Sequence, residues 1–179
     1  MKFKFLSTLL LSAVLFTIYL STTSLSGGIT GSSGGCFCHT QSANTIVFVS
    51  GSASSYTNSQ QITFTVSVTN ATKLAAGFNL TTNIGTIISG GPGTSIVSAN
   101  EITHSSPKAL VAGTTSWTFV WEAPATGNTD LEIQLSGNAV NLASGSVGDA
   151  WNNGNNPTIP FASTLDQSSA APLSFKPVQ

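Results

Sequence analysis

With 179 residues, the chain has room for one domain plus short extensions. Only 6% of its residues are charged, against about 25% in ordinary soluble domains, and it has no arginine. Setting aside Lys2 and Lys4, three lysines face six acidic residues, a net charge of −3, which excludes nucleic acid as a partner because it cannot neutralise phosphates.

In chain order, residues 1–26 read as a secretory signal. Lys2 and Lys4 form its positive start, Phe5 to Leu20 its apolar stretch, and small residues follow, with cleavage expected after Ser24 or Ser26. No cysteine closes the signal, so a lipoprotein anchor is not expected. The alternative is an uncleaved membrane anchor, since about 20 apolar residues span a bilayer. Either way the remainder is expected to be exported to the periplasm, cell surface or medium, where cysteines can be oxidised.

Residues 27–35, Gly-Gly-Ile-Thr-Gly-Ser-Ser-Gly-Gly, read as a flexible linker, the first part of a leader over 27–44. Directly after them come Cys36, Phe37, Cys38 and His39, which contain the only two cysteines and one of two histidines.

From Thr45 onward the hydrophobic period is two. Ile62, Phe64, Val66 and Val68 alternate with Thr63, Thr65, Ser67 and Thr69, the pattern of a strand with one buried face. Trp117, Phe119 and Trp121 repeat it, as do Leu131, Ile133 and Leu135. Shorter candidate strands are Ile46–Val49, Gly77–Thr81, Thr86–Ile88, Ser95–Ser98 and Glu101–His104. Turn signals separate them, Gly90-Gly91-Pro92-Gly93 being the clearest. Seven to eight short strands predict an all-β, immunoglobulin-like antiparallel β-sandwich over 45–163. The stretch Gly148–Pro157 reads as a loop, Thr158–Ser163 as a last edge strand next to Pro157 and Pro160, and 164–179 as a polar tail.

The chain resembles the Reeler-like, choice-of-anchor type secreted modules common in Bacteroidetes surface proteins. The resemblance covers about Gly27 to Asn152. It is carried by the Gly-rich leader running into cysteines and His39, then Gly77-Phe78-Asn79-Leu80 and Glu101-Ile102-Thr103-His104. Trp117-Thr118-Phe119-Val120-Trp121-Glu122-Ala123-Pro124, Ser136-Gly137-Asn138-Ala139-Val140-Asn141 and Gly148-Asp149 complete the ordered set. It implies an immunoglobulin-like sandwich and no single function. Such modules often carry Cys-x-x-Cys-His where this chain has the shorter Cys36-Phe37-Cys38-His39.

Cys-x-x-Cys-His is the attachment signature of c-type haem. The shorter spacing preserves the chemistry, because side chains two apart on extended chain face one side. In this reading Cys36 and Cys38 anchor the haem and His39 ligates iron. With Met1 in the signal, His104 is the remaining candidate for the second axial position, an arrangement suited to electron transfer. Three readings compete. Cys36 and Cys38 form a strained disulfide, which requires Cα atoms about 4.4–6.8 Å apart. Cys36, Cys38, His39 and His104 bind zinc or copper. Or the thiols are free or bridged between molecules, and the protein is a structural or adhesive surface module.

Other candidates read as structural. Trp117, Phe119, Trp121 and Phe78 fit a core better than a ligand face. Glu122 and Glu132 read as solvent-facing rather than as a glycosidase pair. Asp149 with Asn152, Asn153 and Asn155 offers oxygen ligands for calcium, but Trp151 interrupts the spacing. Asn70 and Asn79 begin glycosylation sequons. No nucleophile elbow or serine–histidine–acid set is visible, so a non-enzyme is expected. The expected partners are periplasmic or cell-surface redox or structural proteins and further copies of the chain, with membrane contact only through an uncleaved signal.

Overall fold

The computed structural model describes residues 27–35, 38–143 and 145–163. Residues 1–26, where a signal is expected, Cys36, Phe37, Ser144 and the tail from 164 lie outside them. The described chain is all-β, with twelve strands in two sheets. They are β1 (Thr40–Gln41), β2 (Ile46–Gly51), β3 (Gln61–Thr69), β4 (Ala75–Thr82), β5 (Thr86–Gly90) and β6 (Thr94–Ser98). β7 (Glu101–His104), β8 (Lys108–Ala109), β9 (Thr114–Glu122), β10 (Leu131–Val140), β11 (Ala150–Asn153) and β12 (Thr158–Ile159) follow.

The smaller sheet has the order β2-β3-β9-β5. The larger runs β1-β11-β10-β4-β7-β6, with β12 beside the start of β10 and β8 beside the start of β4. All pairings between these strands are antiparallel except β1 with β11. The nine stretches that alternate or break between turns all become strands. The count exceeds the expected seven to eight because all nine become strands and β1, β8 and β11 join them, β1 and β8 being only two residues long.

β11 corrects the loop reading of Gly148–Pro157. Its Asn-rich sequence has no alternation, but its backbone pairs with Ser136–Ala139 of β10, which extends past the expected end at Leu135. The expected strand over Thr158–Ser163 is confined to Thr158–Ile159, just before Pro160.

The core lies between the sheets. Ile62, Phe64, Val66 and Val68 of β3, Trp117, Phe119 and Trp121 of β9, and Leu131, Ile133 and Leu135 of β10 are all buried, as their alternation predicts. Each fully buried large apolar side chain contributes about 1.5–3 kcal/mol. Phe64 and Phe119 stack within one sheet at 5.3 Å, and Phe78 joins the sheets by packing on Trp117 at 4.9 Å. This places the four aromatic candidates in the core rather than on a ligand face.

The Asn-rich loop after β11 has a structural task. The Asn155 side chain accepts from Val49 N–H at 2.8 Å and donates to Val49 C=O at 3.0 Å. It thereby satisfies part of the open edge of β2, where unpaired backbone groups would otherwise invite another strand.

Candidate functional site

β4 departs from alternation: Ala75 through Leu80 are all buried. Ala76, Phe78 and Leu80 belong to the core. The positions between them face away from the other sheet and should be wet. The Gly-rich leader covers Asn79, and the His104 ring fills the space over Gly77. Residues 27–35 are therefore not a free linker but a strap across the outer face of the large sheet.

The strap is fastened by Ser136 and Asn79 in one cross-strand row and by Thr81 and Glu101 in another. Ser136, Asn79 and Thr103 are paired neighbours on β10, β4 and β7 and are 1%, 4% and 2% exposed. Asn79 Nδ2 donates to Ile29 C=O at 2.9 Å, and Ser136 Oγ donates to Ser32 C=O at 2.5 Å. Ser33 and Thr81 share a hydroxyl hydrogen bond at 2.9 Å, and Gly31 N–H donates to Glu101 Oε1 at 2.6 Å. Buried polar groups need such partners, and the strap's backbone supplies them. Gly28 is required for the close approach: its φ is +81°, and a Cβ there would lie 2.5 Å from His104 C=O.

Beyond the strap, Cys38 and His39 lie at the rim beside β11. Gly35, at φ +141°, lies so close to Trp151 that a Cβ would meet its ring at 2.7 Å. Trp151 Nε1 donates to His39 C=O at 3.0 Å. One indole thus holds the chain on both sides of Cys36–Cys38. His39 Nδ1 lies 3.3 Å from Asp149 Oδ2, with the side chains 18% and 6% exposed. The two atoms are within hydrogen-bond distance but not aligned for one, and Nδ1 has no hydrogen-bond partner among the described residues. Asp149 Oδ1 accepts from Asn141 N–H at 3.0 Å. Cys38 carries an exposed, free thiol. The arrangement pairs an accessible sulfur with an imidazole backed by a carboxylate, the usual support of a ligating histidine.

His104 is elsewhere. It ends β7, while His39 directly precedes β1, four strand-to-strand steps away in the same sheet. At about 4.8 Å per step that is roughly 19 Å, whereas two nitrogens across one metal ion stand only about 4 Å apart. Ligation of one iron by both His39 and His104 is therefore corrected. The zinc or copper set of Cys36, Cys38, His39 and His104 fails for the same reason. Among the described residues, no three His, Cys, Asp or Glu side chains gather as a metal group.

His104 is instead part of the fold. Its Nδ1 lies 3.1 Å from both the N–H and the C=O of Phe78, and its ring fills the space where Gly77 has no side chain. Burial lowers its pKa below the ordinary histidine value, and the hydrogen bond to the Phe78 backbone opposes this less strongly.

The remaining candidates are also structural. Glu122 and Glu132 stand on β9 and β10, in different sheets, and Glu122 accepts from Gln61 at 2.8 Å. Three of the four side chains proposed for calcium have engaged oxygens: Asp149 by Asn141 and His39, Asn155 by the β2 edge, and Asn152 Oδ1 by Asn153 N–H at 3.0 Å. Asn70 and Asn79 are 2% and 4% exposed and hydrogen-bonded inside the fold, which closes both sequons. Sequence reasoning weighed Asp149 only as a calcium ligand, not as a partner of His39, and read Trp151 as loop. An isolated tryptophan in an Asn- and Gly-rich stretch was the available signal.

Fold and site together define a two-sheet β-sandwich whose N-terminal strap presents a thiol–imidazole motif at the rim of one sheet. No family model matches the chain, and no curated protein matches it. Among solved structures it is similar to the reeler domain of human F-spondin, at 15% identity over 69% of this chain and 93% of that one, TM-score 0.48. It is likewise similar to the Reelin-N domain of F-spondin, at 16% identity over 70% and 91%, TM-score 0.47. A third similar structure is a type I cohesin from Pseudobacteroides cellulosolvens, at 10% identity over 75% and 98%, TM-score 0.48. Reeler domains, resembled by the ordered sequence motifs, are thus among the structures this chain is similar to.

Proposed function

We propose that the protein is an exported, non-catalytic β-sandwich module carrying one covalently attached c-type haem at Cys36, Cys38 and His39. The supporting observation is the seating of the motif: Trp151 holds both flanks, Asp149 stands behind His39, and the Cys38 thiol is exposed. Cys36 and Cys38 would be the thioether anchors and His39 the iron ligand, without His104. A haem there supplies one-electron transfer at the cell surface or in the periplasm, with redox proteins of that compartment as partners. Asp149 orients the imidazole, Trp151 fixes its backbone, and the rigid sandwich keeps the motif at the rim.

The test is expression in a host able to mature c-type cytochromes. The expected result is a haem-staining band on a denaturing gel and a Soret peak, both lost in Cys38→Ser. A colourless protein with the intact mass of the bare chain refutes the proposal.

A second reading, a structural or adhesive surface module, is favoured by a separate feature. Ile46 and Phe48 on edge strand β2 are 61% and 49% exposed. They stand opposite Thr69 and Ser67 on an uncharged patch. Concentration-dependent association in sedimentation, reduced by Phe48→Ser, supports that reading; a strictly monomeric protein rejects it.

A further inference from the structure

We propose that Asp149 is a positioning residue that holds His39 as its Nδ1–H tautomer, leaving Nε2 as the ligand atom. The proposal deepens the reading of His39 as an iron ligand and rests on it for its purpose, though its geometry stands without a haem.

The argument begins with what is buried. The Asp149 side chain is only 6% exposed, and a buried carboxylate needs hydrogen-bond donors. Asn141 N–H supplies one, to Oδ1. The group facing Oδ2 is His39 Nδ1, at 3.3 Å. That nitrogen is itself buried and has no hydrogen-bond partner among the described residues. Each atom is therefore the other's available partner, and the His39 carbonyl beside them is pinned by Trp151 Nε1. An ionised carboxylate only accepts, so Nδ1 must carry the proton in the neutral imidazole. The ring nitrogen bearing the lone pair is then Nε2. Since Nδ1 is buried while 18% of the side chain is exposed, the accessible part of the ring does not include Nδ1. A carboxylate behind a ligating histidine also raises its donor strength toward a metal.

The variant Asp149→Asn makes a sharp contrast. The Asn141 amide retains the oxygen of the new side chain, so its NH₂ group faces Nδ1. Two donors cannot pair, and the proton on His39 moves to Nε2.

The experiment is long-range ¹H–¹⁵N correlation on haem-free, ¹⁵N-histidine-labelled full-length protein, made in a host without cytochrome maturation, at a pH where both histidines are neutral. His104, far along the sheet, is the internal reference for an intact fold. Wild type should show His39 as Nδ1–H, Asp149→Asn as Nε2–H, and Asp149→Ala a mixture, with His104 unchanged in all three. His39 found as Nε2–H in wild type overturns the proposal without any variant. So does an unchanged His39 tautomer in a folded Asp149→Asn. A colourless product from the maturation-competent host would refute the haem reading and leave this result as it stands.

Discussion

Replacing Gly77 by alanine tests whether His104 is structural. Gly77 is in the middle of the chain's most buried strand, and its φ is not positive, so alanine meets no backbone penalty. The obstacle is contact: the new Cβ would lie 2.3 to 2.6 Å from three atoms of the His104 ring. Ordinary contacts begin near 3.4 Å, so the ring must move, and the bond from Phe78 N–H to Nδ1 must stretch or break. Overpacking typically costs about 1–3 kcal/mol, and losing one hydrogen bond about 1 kcal/mol. Gly77→Ala should therefore destabilise by about 2–4 kcal/mol. In a His104→Ala background the space is open and the same change should cost close to nothing. The coupling between the two sites is then about 2–4 kcal/mol, where distant sites add within about 0.5 kcal/mol. Urea unfolding followed by tryptophan fluorescence measures all four proteins. A Gly77→Ala cost that is equal in both backgrounds would refute the packing argument.

The lowered His104 pKa predicts pH dependence. An unfolded histidine titrates near 6.5, and the folded one titrates lower because burial disfavours its charged form. Between the two values the unfolded chain binds more protons, so stability is full above about pH 6.5 and falls as pH drops toward the folded pKa. The urea midpoint should show that decline, and His104→Gln should flatten it relative to wild type. Gly28→Ala places a Cβ against His104 C=O at a positive φ, so the strap should lift; faster amide exchange at 29–33 with core amides still protected would show it, and unchanged exchange would count against the strap. Trp151→Phe removes the bond to His39 C=O for about 1 kcal/mol, and Cys38 should then react faster with a thiol reagent. Trp121, 0% exposed, should cost about 3–5 kcal/mol on truncation to alanine.

Much of the sandwich was legible in the residues. The alternation of β3, β9 and the first half of β10 identified their buried faces, because a strand's two sides differ by a period that local sequence records. β11 was not legible: Ala150–Asn153 has no such period, and its pairing depends on the edge offered by β10. The strap was misread because glycine and serine mark a free linker and a close-packed backbone equally well. The burial of Asn79 and Ser136 was not legible for a related reason. Their faces are outward from the core, and only the returning leader buries them.

At the candidate site the division is sharper. Cys36, Cys38 and His39 are adjacent in the chain, so their chemistry was readable at once. Elimination by residue type then chose His104 as their companion, since composition has no term for distance. The residues that actually meet His39, Asp149 and Trp151, lie at the other end of the sandwich sequence, Trp151 112 positions away. The sequence alone determined the long alternating strands, which of their faces are apolar, and which atoms are available for ligation. Strand order and register, set by the packing of two whole sheets, decided that β11 rather than β7 receives the motif, because such long-range neighbours are a property of the closed fold and not of any local stretch.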